Sequence, residues 1–195
     1  MSFSIHETGF WESTDQEGHC FDHRLCDAVA DLLKQQQCNT IIDLGCGPGY
    51  YVKELRQQNF NVTGYDGNPN TPAISMKILN DGTACSVLDL ARPVRFETPA
   101  DCVLCLEVGE HIPEAFETVF IENLTSNASG LIILSWAVEG QDGDGHVNCR
   151  NNSYVINRMK TYGFKENIRS KNKLRLSAYY QWFCNSLMVF ERSDL

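Results

Sequence analysis

The stretch TIIDLGCGPGYYVKELRQQNFNVTGYD, residues 40–66, constrains the fold more than any other part of the chain. An apolar run meets a turn carrying Gly45, Gly47 and Gly49. A helix-like segment follows over about 49–58, and a second apolar run stops at Asp66. Glycine tolerates the left-handed backbone and lets a ligand approach the main chain, so three of them after a strand mark a tight, ligand-facing turn. The alternation continues downstream. ACSVLDL, DCVLCLEV, GLIILSWA and NSLMVFER read as further strands, and 22–36, 71–80, 113–125 and 152–162 as helices, the last stopped by Gly163. Leu25, Val29, Leu32 and Leu33 share one face of the first helix, with Asp22 as its cap. In the 113–125 helix Pro113 suits the first turn, Glu114 and Glu117 suit the positive end of the dipole, and Phe116, Val119, Phe120 and Leu124 form the apolar stripe.

Continuously apolar strands alternating with helices predict an α/β fold whose parallel sheet is covered on both faces. Ligands of such sheets bind outside the carboxyl ends of the strands. Asp43 to Gly49, Asp66, Asp89 and Glu107 to His111 all fall at or just after predicted strand ends, so they are expected to converge. The 195 residues suit a single domain, 1–195, with 1–21 as an N-terminal cover and 137–150 as a lid-like loop.

The turn itself discriminates between ligands. Its order, G-C-G-P-G-Y, brings the third glycine one residue earlier than the dinucleotide fingerprint G-x-G-x-x-G. Asp43 precedes it, and no Lys or Arg lies between Asp43 and Val52. A pyrophosphate would meet a carboxylate and no cationic side chain. A ligand bearing an ammonium and a sulfonium would be attracted. Asp66 is placed to accept from both hydroxyls of a ribose. S-adenosylmethionine satisfies these requirements.

Asp43-Leu44-Gly45-Cys46-Gly47-Pro48-Gly49 resembles the first motif of the class I S-adenosylmethionine-dependent methyltransferases. The resemblance continues through Asp66, Val87-Leu88-Asp89-Leu90 and Cys105-Leu106-Glu107-Val108-Gly109-Glu110-His111-Ile112-Pro113. It implies a Rossmann-like, seven-stranded, mostly parallel sheet with an antiparallel last strand. Asp43 and the Gly45, Cys46, Gly47 and Gly49 backbone would hold the methionine part, with Tyr50 beside them. Asp66 and Gly67 would take the ribose, Asp89 with the Leu90 amide the adenine edge, and Glu107 would close the pocket near the methyl group.

A neutral amine acceptor needs only its lone pair aimed, whereas a hydroxyl needs a base or a metal to remove its proton. His146, in EGQDGDGHVNC, is the preferred base, and Glu110 and His111 are the other candidate catalytic groups. Glu107, Glu110 and His111, at i, i+3 and i+4, and His146 are also two carboxylates and two imidazoles that a divalent metal would accept. That arrangement is similar to the metal-assisted RNA 3′-terminal 2′-O-methyltransferases and to some ubiquinone-pathway O-methyltransferases. Trp11, Trp136 and Tyr50 are candidates for an acceptor cage.

The expected acceptor is a small molecule methylated on N or O. The alternatives are a metal-assisted enzyme acting on a macromolecule and a non-catalytic S-adenosylmethionine-binding module. Sixteen basic against 25 acidic residues, a net charge of −9, disfavour a nucleic-acid partner. The Arg169, Lys171, Lys173, Arg175 cluster reads as a solvated face. MSFSIHETGF has neither a basic head nor an apolar core, so no signal peptide is expected, and GLIILSWAV is too short to cross a bilayer. Nine scattered cysteines, including the apolar Cys102–Cys105 pair, fit free thiols in a reducing cytoplasm. The sequence leaves the oligomeric state open.

Overall fold

The computed structural model describes residues 4–12 and 19–193. Parts of the expected N-terminal cover, residues 1–3 and 13–18, lie outside the described residues. The chain runs α1 (His23–Gln35), β1 (Thr40–Leu44), α2 (Tyr50–Gln57), β2 (Asn61–Asp66), α3 (Thr71–Leu79), β3 (Cys85–Val87) and β4 (Ala100–Leu106). A 3-10 turn (Glu114–Phe116) leads into α4 (Glu117–Asn127) and β5 (Ala128–Ser135). Then come α5 (Asn152–Thr161), β6 (Phe164–Glu166), α6 (Ile168–Ser177), α7 (Gln181–Ser186) and β7 (Leu187–Arg192).

The seven strands form one sheet in the order β3-β2-β1-β4-β5-β7-β6. β1 is parallel to both β2 and β4, β3 to β2 and β5 to β4, while β7 is antiparallel to β5 and β6. The chain therefore turns back across the sheet between β1 and β4, and this switch point opens a crevice at the carboxyl ends. Two apolar layers cover the sheet. One packs α1 and α2 through Leu25, Leu33, Val52 and Leu55 against Ile41 and Val62. The other packs α4 and α5 through Phe120, Leu124, Val155 and Met159 against Val103 and Ile132. Both faces being covered explains why β4 and β5 are almost continuously apolar.

Asp22 caps α1 as its position predicts, accepting from the Leu25 amide at 2.9 Å. Its second oxygen accepts from the Tyr179 and Tyr180 amides at 2.7 and 3.1 Å, tying α1 to the α6–α7 link. The 113–125 segment divides, because Pro113, with φ −55° and ψ 144°, stands outside the helical geometry and a 3-10 turn precedes the α-helix. Its buried face uses Phe120, Ile121 and Leu124, while Val119 is only partly buried. The third strand shrinks from ACSVLDL to Cys85–Val87, and the fourth ends at Leu106.

Two buried asparagines fix the loop that follows β3. Asn123 donates to the Leu90 and Arg92 carbonyls at 2.9 and 2.8 Å and accepts from the Val94 amide at 2.8 Å. Asn127 accepts from the Phe96 amide and donates to the Val94 carbonyl. The loop after Asp89 is thereby held to α4 by the amide groups of α4 itself. Cys102 and Cys105 are buried free thiols on β4. Among the described residues, no helix is long and apolar enough to cross a membrane.

Candidate active site

A cavity of about 430 Å³ opens where the carboxyl ends of β1, β2 and β4 meet, within the size range of small-molecule sites. It gathers Asp43, Gly45, Cys46, Gly47, Tyr50, Asp66, Gly67, Asp89, Leu90, Glu107, Glu110, His111 and His146 from five stretches of the chain. Gly49 does not reach it. That residue opens α2 with φ 86° and faces Cys85 and Leu79 behind the turn. Seven carboxylates line the cavity, the five above with Asp142 and Asp144 of the 136–151 connection added, and no Lys or Arg among the described residues does so.

The turn is built on positive backbone angles, with Gly45 at φ 80° and Gly47 at φ 52°. A side chain at Gly45 would also enter Val108. The Gly45 and Cys46 amides donate to the Tyr65 carbonyl at 2.7 and 3.0 Å, which docks the turn on β2. Asp66 holds it from the other side. Its two oxygens accept from the Gly47 and Asn68 amides, each at 2.9 Å, so the plane of the carboxylate is fixed. Burial pushes the pKa of Asp66 up, those amides pull it down, and the net direction is upward. Asp43, 3% exposed, is raised further by burial and by its neighbours Cys85 and Asp66. Asp89 accepts from the Ala91 amide at 3.0 Å and lies 3.4 Å from Arg92.

Glu107, just past β4, has φ 53°, a left-handed conformation that non-glycine residues adopt at a cost of about 1–3 kcal/mol. Its amide donates to the Ser135 hydroxyl at 2.8 Å. Its carboxylate accepts from Ser186 at 2.9 Å and from the Gln141 side chain at 2.6 Å. Burial raises its pKa against these donors. Three separate segments thus hold one strained residue.

Glu110 is 0% exposed. One oxygen accepts from the Ala137 amide at 3.2 Å, and the other, Oε1, is buried with no hydrogen-bond partner. Burial and the nearby Glu107 raise its pKa well above the carboxylate range. His146 Nε2 lies 3.9 Å from Oε1, and its Nδ1 is 2.9 Å from the Gln141 carbonyl. A carbonyl only accepts, so a hydrogen sits on Nδ1, and in the neutral imidazole Nε2 is the accepting nitrogen. His111 repeats this pattern with Nδ1 3.3 Å from the Gly145 carbonyl, and burial with the neighbouring His146 lowers its pKa to about 4. One ligand atom from each of Glu110, His111 and His146 lies within 4.8 Å of the others. Glu107, expected as a fourth member, lies outside this group, and its oxygens accept from Ser186 and Gln141 instead.

The cover comes from two directions. Residues 4–12 fold into a short hairpin, bridged Ile5 to Trp11, that lays Phe10 over Gly67 and Gly9 against the His111 carbonyl. The 136–151 connection is pinned at its base, where the Val147 and Asn148 amides donate to the Glu110 carbonyl, both at 2.9 Å. Asn148 and Arg150 bind Glu117 at 3.2 and 2.9 Å. Its tip, including Asp142 and Asp144, is exposed.

Two expectations need correction. Trp136 is not part of an acceptor cage. It is 0% exposed, packs on Phe120 and donates to the Asn148 carbonyl, because it continues β5 into the core and Gly109 leaves room for its indole. In the basic cluster of α6, Lys171 pairs with Glu166 and Arg175 donates to the Leu187 carbonyl, so two of the four cations serve the fold. Gln141, Ser186 and His19 also belong around the site, although no motif marks them. His19 sits over Gly47, with its pKa lowered by burial.

The fold and this acidic, glycine-lined crevice define an α/β protein with its candidate site at the switch point of a mostly parallel sheet. More particularly, the chain belongs to the methyltransferase domain family, which matches residues 17–134. The mitochondrial ubiquinone biosynthesis O-methyltransferase of Schizosaccharomyces pombe is 22% identical over 134 residues, 64% of this chain and 48% of that protein. The chain spans about half the length of the curated relatives it matches. Among solved structures, a sugar N-methyltransferase of Streptoalloteichus superposes with a TM-score of 0.73 at 14% identity, covering 100% of this chain and 98% of that one. The magnesium protoporphyrin IX methyltransferase of Synechocystis, with bound S-adenosylhomocysteine, gives 0.63 at 21% identity, covering 88% and 84%. These likenesses carry the fold.

Proposed function

We propose that this chain transfers a methyl group from S-adenosylmethionine to an N or O atom of a small metabolite. The observation that carries the reading is the cavity wall: seven carboxylates and, among the described residues, no Lys or Arg. Such a wall attracts an ammonium and a sulfonium and repels a diphosphate. Names among its relatives, an O-methyltransferase of ubiquinone biosynthesis and a sugar N-methyltransferase, support a small acceptor.

When bound, S-adenosylmethionine supplies the methyl group and its own leaving sulfur, so the protein's work is orientation and electrostatics. Asp66, its plane fixed by two amides, accepts from the ribose hydroxyls with its remaining lone pairs. Asp43 and the Gly45–Gly47 backbone take the amino acid end, and Asp89 with Leu90 the adenine edge. Glu107 bounds the reacting centre. His146, with its hydrogen held on Nδ1, offers an accepting Nε2 to draw the proton from a hydroxyl or ammonium acceptor. Residues 4–12 and the 137–150 loop exclude water from the acceptor space, acting as cover and lid of one domain.

Thermal denaturation tests the cofactor reading. S-adenosylhomocysteine at about a hundred times its Kd should raise the melting temperature by roughly 5–10 °C. No shift at millimolar ligand would favour a module that has lost binding.

A second reading has its own observation. The orphaned Oε1 of Glu110 beside His111 and His146 fits a divalent cation, which would explain an otherwise costly buried carboxylate. Those three residues would hold the ion, and it would supply Lewis acidity toward a hydroxyl acceptor, on a metabolite or on a macromolecule. Methyl transfer unchanged in excess chelator would remove this reading and leave the base reading standing.

A further inference from the structure

We propose that Gln141 is a positioning residue that latches the acceptor-side loop to the cofactor-side carboxylate of Glu107. The proposal deepens the reading above and rests on it for the identity of the two sides. Gln141 acts with both halves of its structure. Its side-chain amide donates to Glu107 Oε2 at 2.6 Å, from a residue 34 positions away. Its backbone carbonyl, at 2.9 Å, receives the Nδ1 hydrogen of His146. One residue therefore joins the carboxylate that bounds the reacting centre to the imidazole proposed as the base.

The rest of the loop shows why this bond matters. At the base, the Val147 and Asn148 amides, the Arg150 amide bonded to Ala137, and the Glu117 contacts hold the connection regardless of Gln141. Along the cavity side the backbone support is slight: the Gln141 amide on the Val138 carbonyl at 2.9 Å, the His146 amide on Gly143 at 3.4 Å, and the Gly145 carbonyl on His111 Nδ1 at 3.3 Å. Asp142, Gly143 and Asp144 are exposed. The Glu107–Gln141 bond is short and charge-assisted when Glu107 is ionised, the stronger kind of hydrogen bond. Glu107 is itself held by Ser135 and Ser186, so the latch closes onto a fixed point. A cationic ligand beside Glu107 favours its ionised form. Binding at the cofactor side then tightens the latch and sets His146 in place before an acceptor arrives, a coupling between two sites through one bond.

Hydrogen exchange on the full chain tests this without knowledge of the acceptor. Q141E keeps the size of the side chain and replaces the donor by an acceptor. In the ligand-free protein it should speed exchange at the hydrogen-bonded amides of Gln141 and His146 roughly tenfold or more, while the Asn148 and Arg150 amides stay within a factor of about two. General destabilisation would speed all of them together. The reciprocal double variant E107Q/Q141E restores a donor–acceptor pair and should return the loop amides toward the wild-type rate. Adding S-adenosylhomocysteine should slow the same amides in the wild-type chain and not in Q141E. Loop exchange in ligand-free Q141E equal to wild type, or no rescue in the double variant, would overturn the latch. Failure of S-adenosylhomocysteine to bind the wild-type chain would instead count against the cofactor reading, and the ligand-free comparison would still decide the latch.

Discussion

At the proposed cofactor end of the cavity, the polar groups beside β1 and β2 are fixed by the sheet. Asp66 is the last residue of β2, Asp43 the fourth of β1, and the Gly45–Gly47 turn is docked on Tyr65 by main-chain bonds. At the acceptor end, His146 hangs in a connection without regular structure, and its place depends on the Gln141 carbonyl in the same connection, on its 3.9 Å approach to Glu110, and on the anchoring of the neighbouring Asn148 to Glu117. The first end is a rigid template whose geometry is set by strand register. The second is assembled by tertiary contact. The contrast suggests that changes at the first end should act on binding, and changes at the second on alignment and local order.

The largest effect should come from Gly45→Ala. A Cβ there meets Val108 and the backbone has φ 80°, so both sterics and strain oppose it. Affinity for S-adenosylhomocysteine should fall at least about a hundredfold by calorimetry, with a stability loss of about 1–3 kcal/mol in urea unfolding. Retained affinity would mean that the turn does not touch the ligand.

Asp66→Ala comes next. It removes the acceptor for two backbone amides and for the ribose, each bond to a charged group being worth about 1.5–3 kcal/mol, so affinity should drop roughly tenfold to a few hundredfold. A loss in stability with unchanged affinity would give Asp66 a purely structural role.

Asp43 predicts a pH dependence. Burial raises its pKa in the ligand-free chain. The folded state therefore binds its proton more tightly than the unfolded chain, and the contribution to stability declines as pH rises above the normal carboxylate value. A cation bound beside Asp43 favours the ionised form, so affinity for S-adenosylhomocysteine should rise as pH rises above the ordinary carboxylate range, with protons released on binding. In Asp43→Asn that dependence should flatten. Equal slopes in the two proteins would show that Asp43 is not the titrating group.

Glu117→Ala tests the base of the acceptor loop. It unties Asn148, Arg150 and Tyr154 and should cost about 1–3 kcal/mol in stability, with cofactor affinity within about threefold of wild type. The smallest effect belongs to Asp142→Asn at the exposed tip, within about 0.5 kcal/mol in stability.

The same contrast decides what could be read from the sequence. The cofactor end is local. A glycine turn, a strand-end aspartate and the E-V-x-E-H-I-P segment are contiguous strings whose positions on a parallel sheet follow from strand–helix alternation, and all but Gly49 of the residues so named line the cavity. His146, Glu110 and His111 stand out in the sequence as chemistry-bearing residues, yet their mutual distances depend on how the 136–151 connection closes. Gln141 carries no motif and acts through a contact 34 residues away. Residues 164–186 were also opaque. β6 has three residues and exists because β7 lies beside it, and α6 buries little besides Ser170 and Leu174, so its apolar period is faint. Trp136 misled because an aromatic next to a glycine-rich loop suggests a ligand cage, whereas Gly109 had made a core niche for it.

The central claim is that this crevice accepts a cationic sulfur nucleoside and rejects diphosphates. Titration calorimetry of the full chain with S-adenosylmethionine, and in parallel with a nicotinamide dinucleotide, tests it most directly. The expected result is saturable binding of the first with one site per chain and no heat beyond dilution from the second. Tight uptake of the dinucleotide with indifference to S-adenosylmethionine would contradict the account.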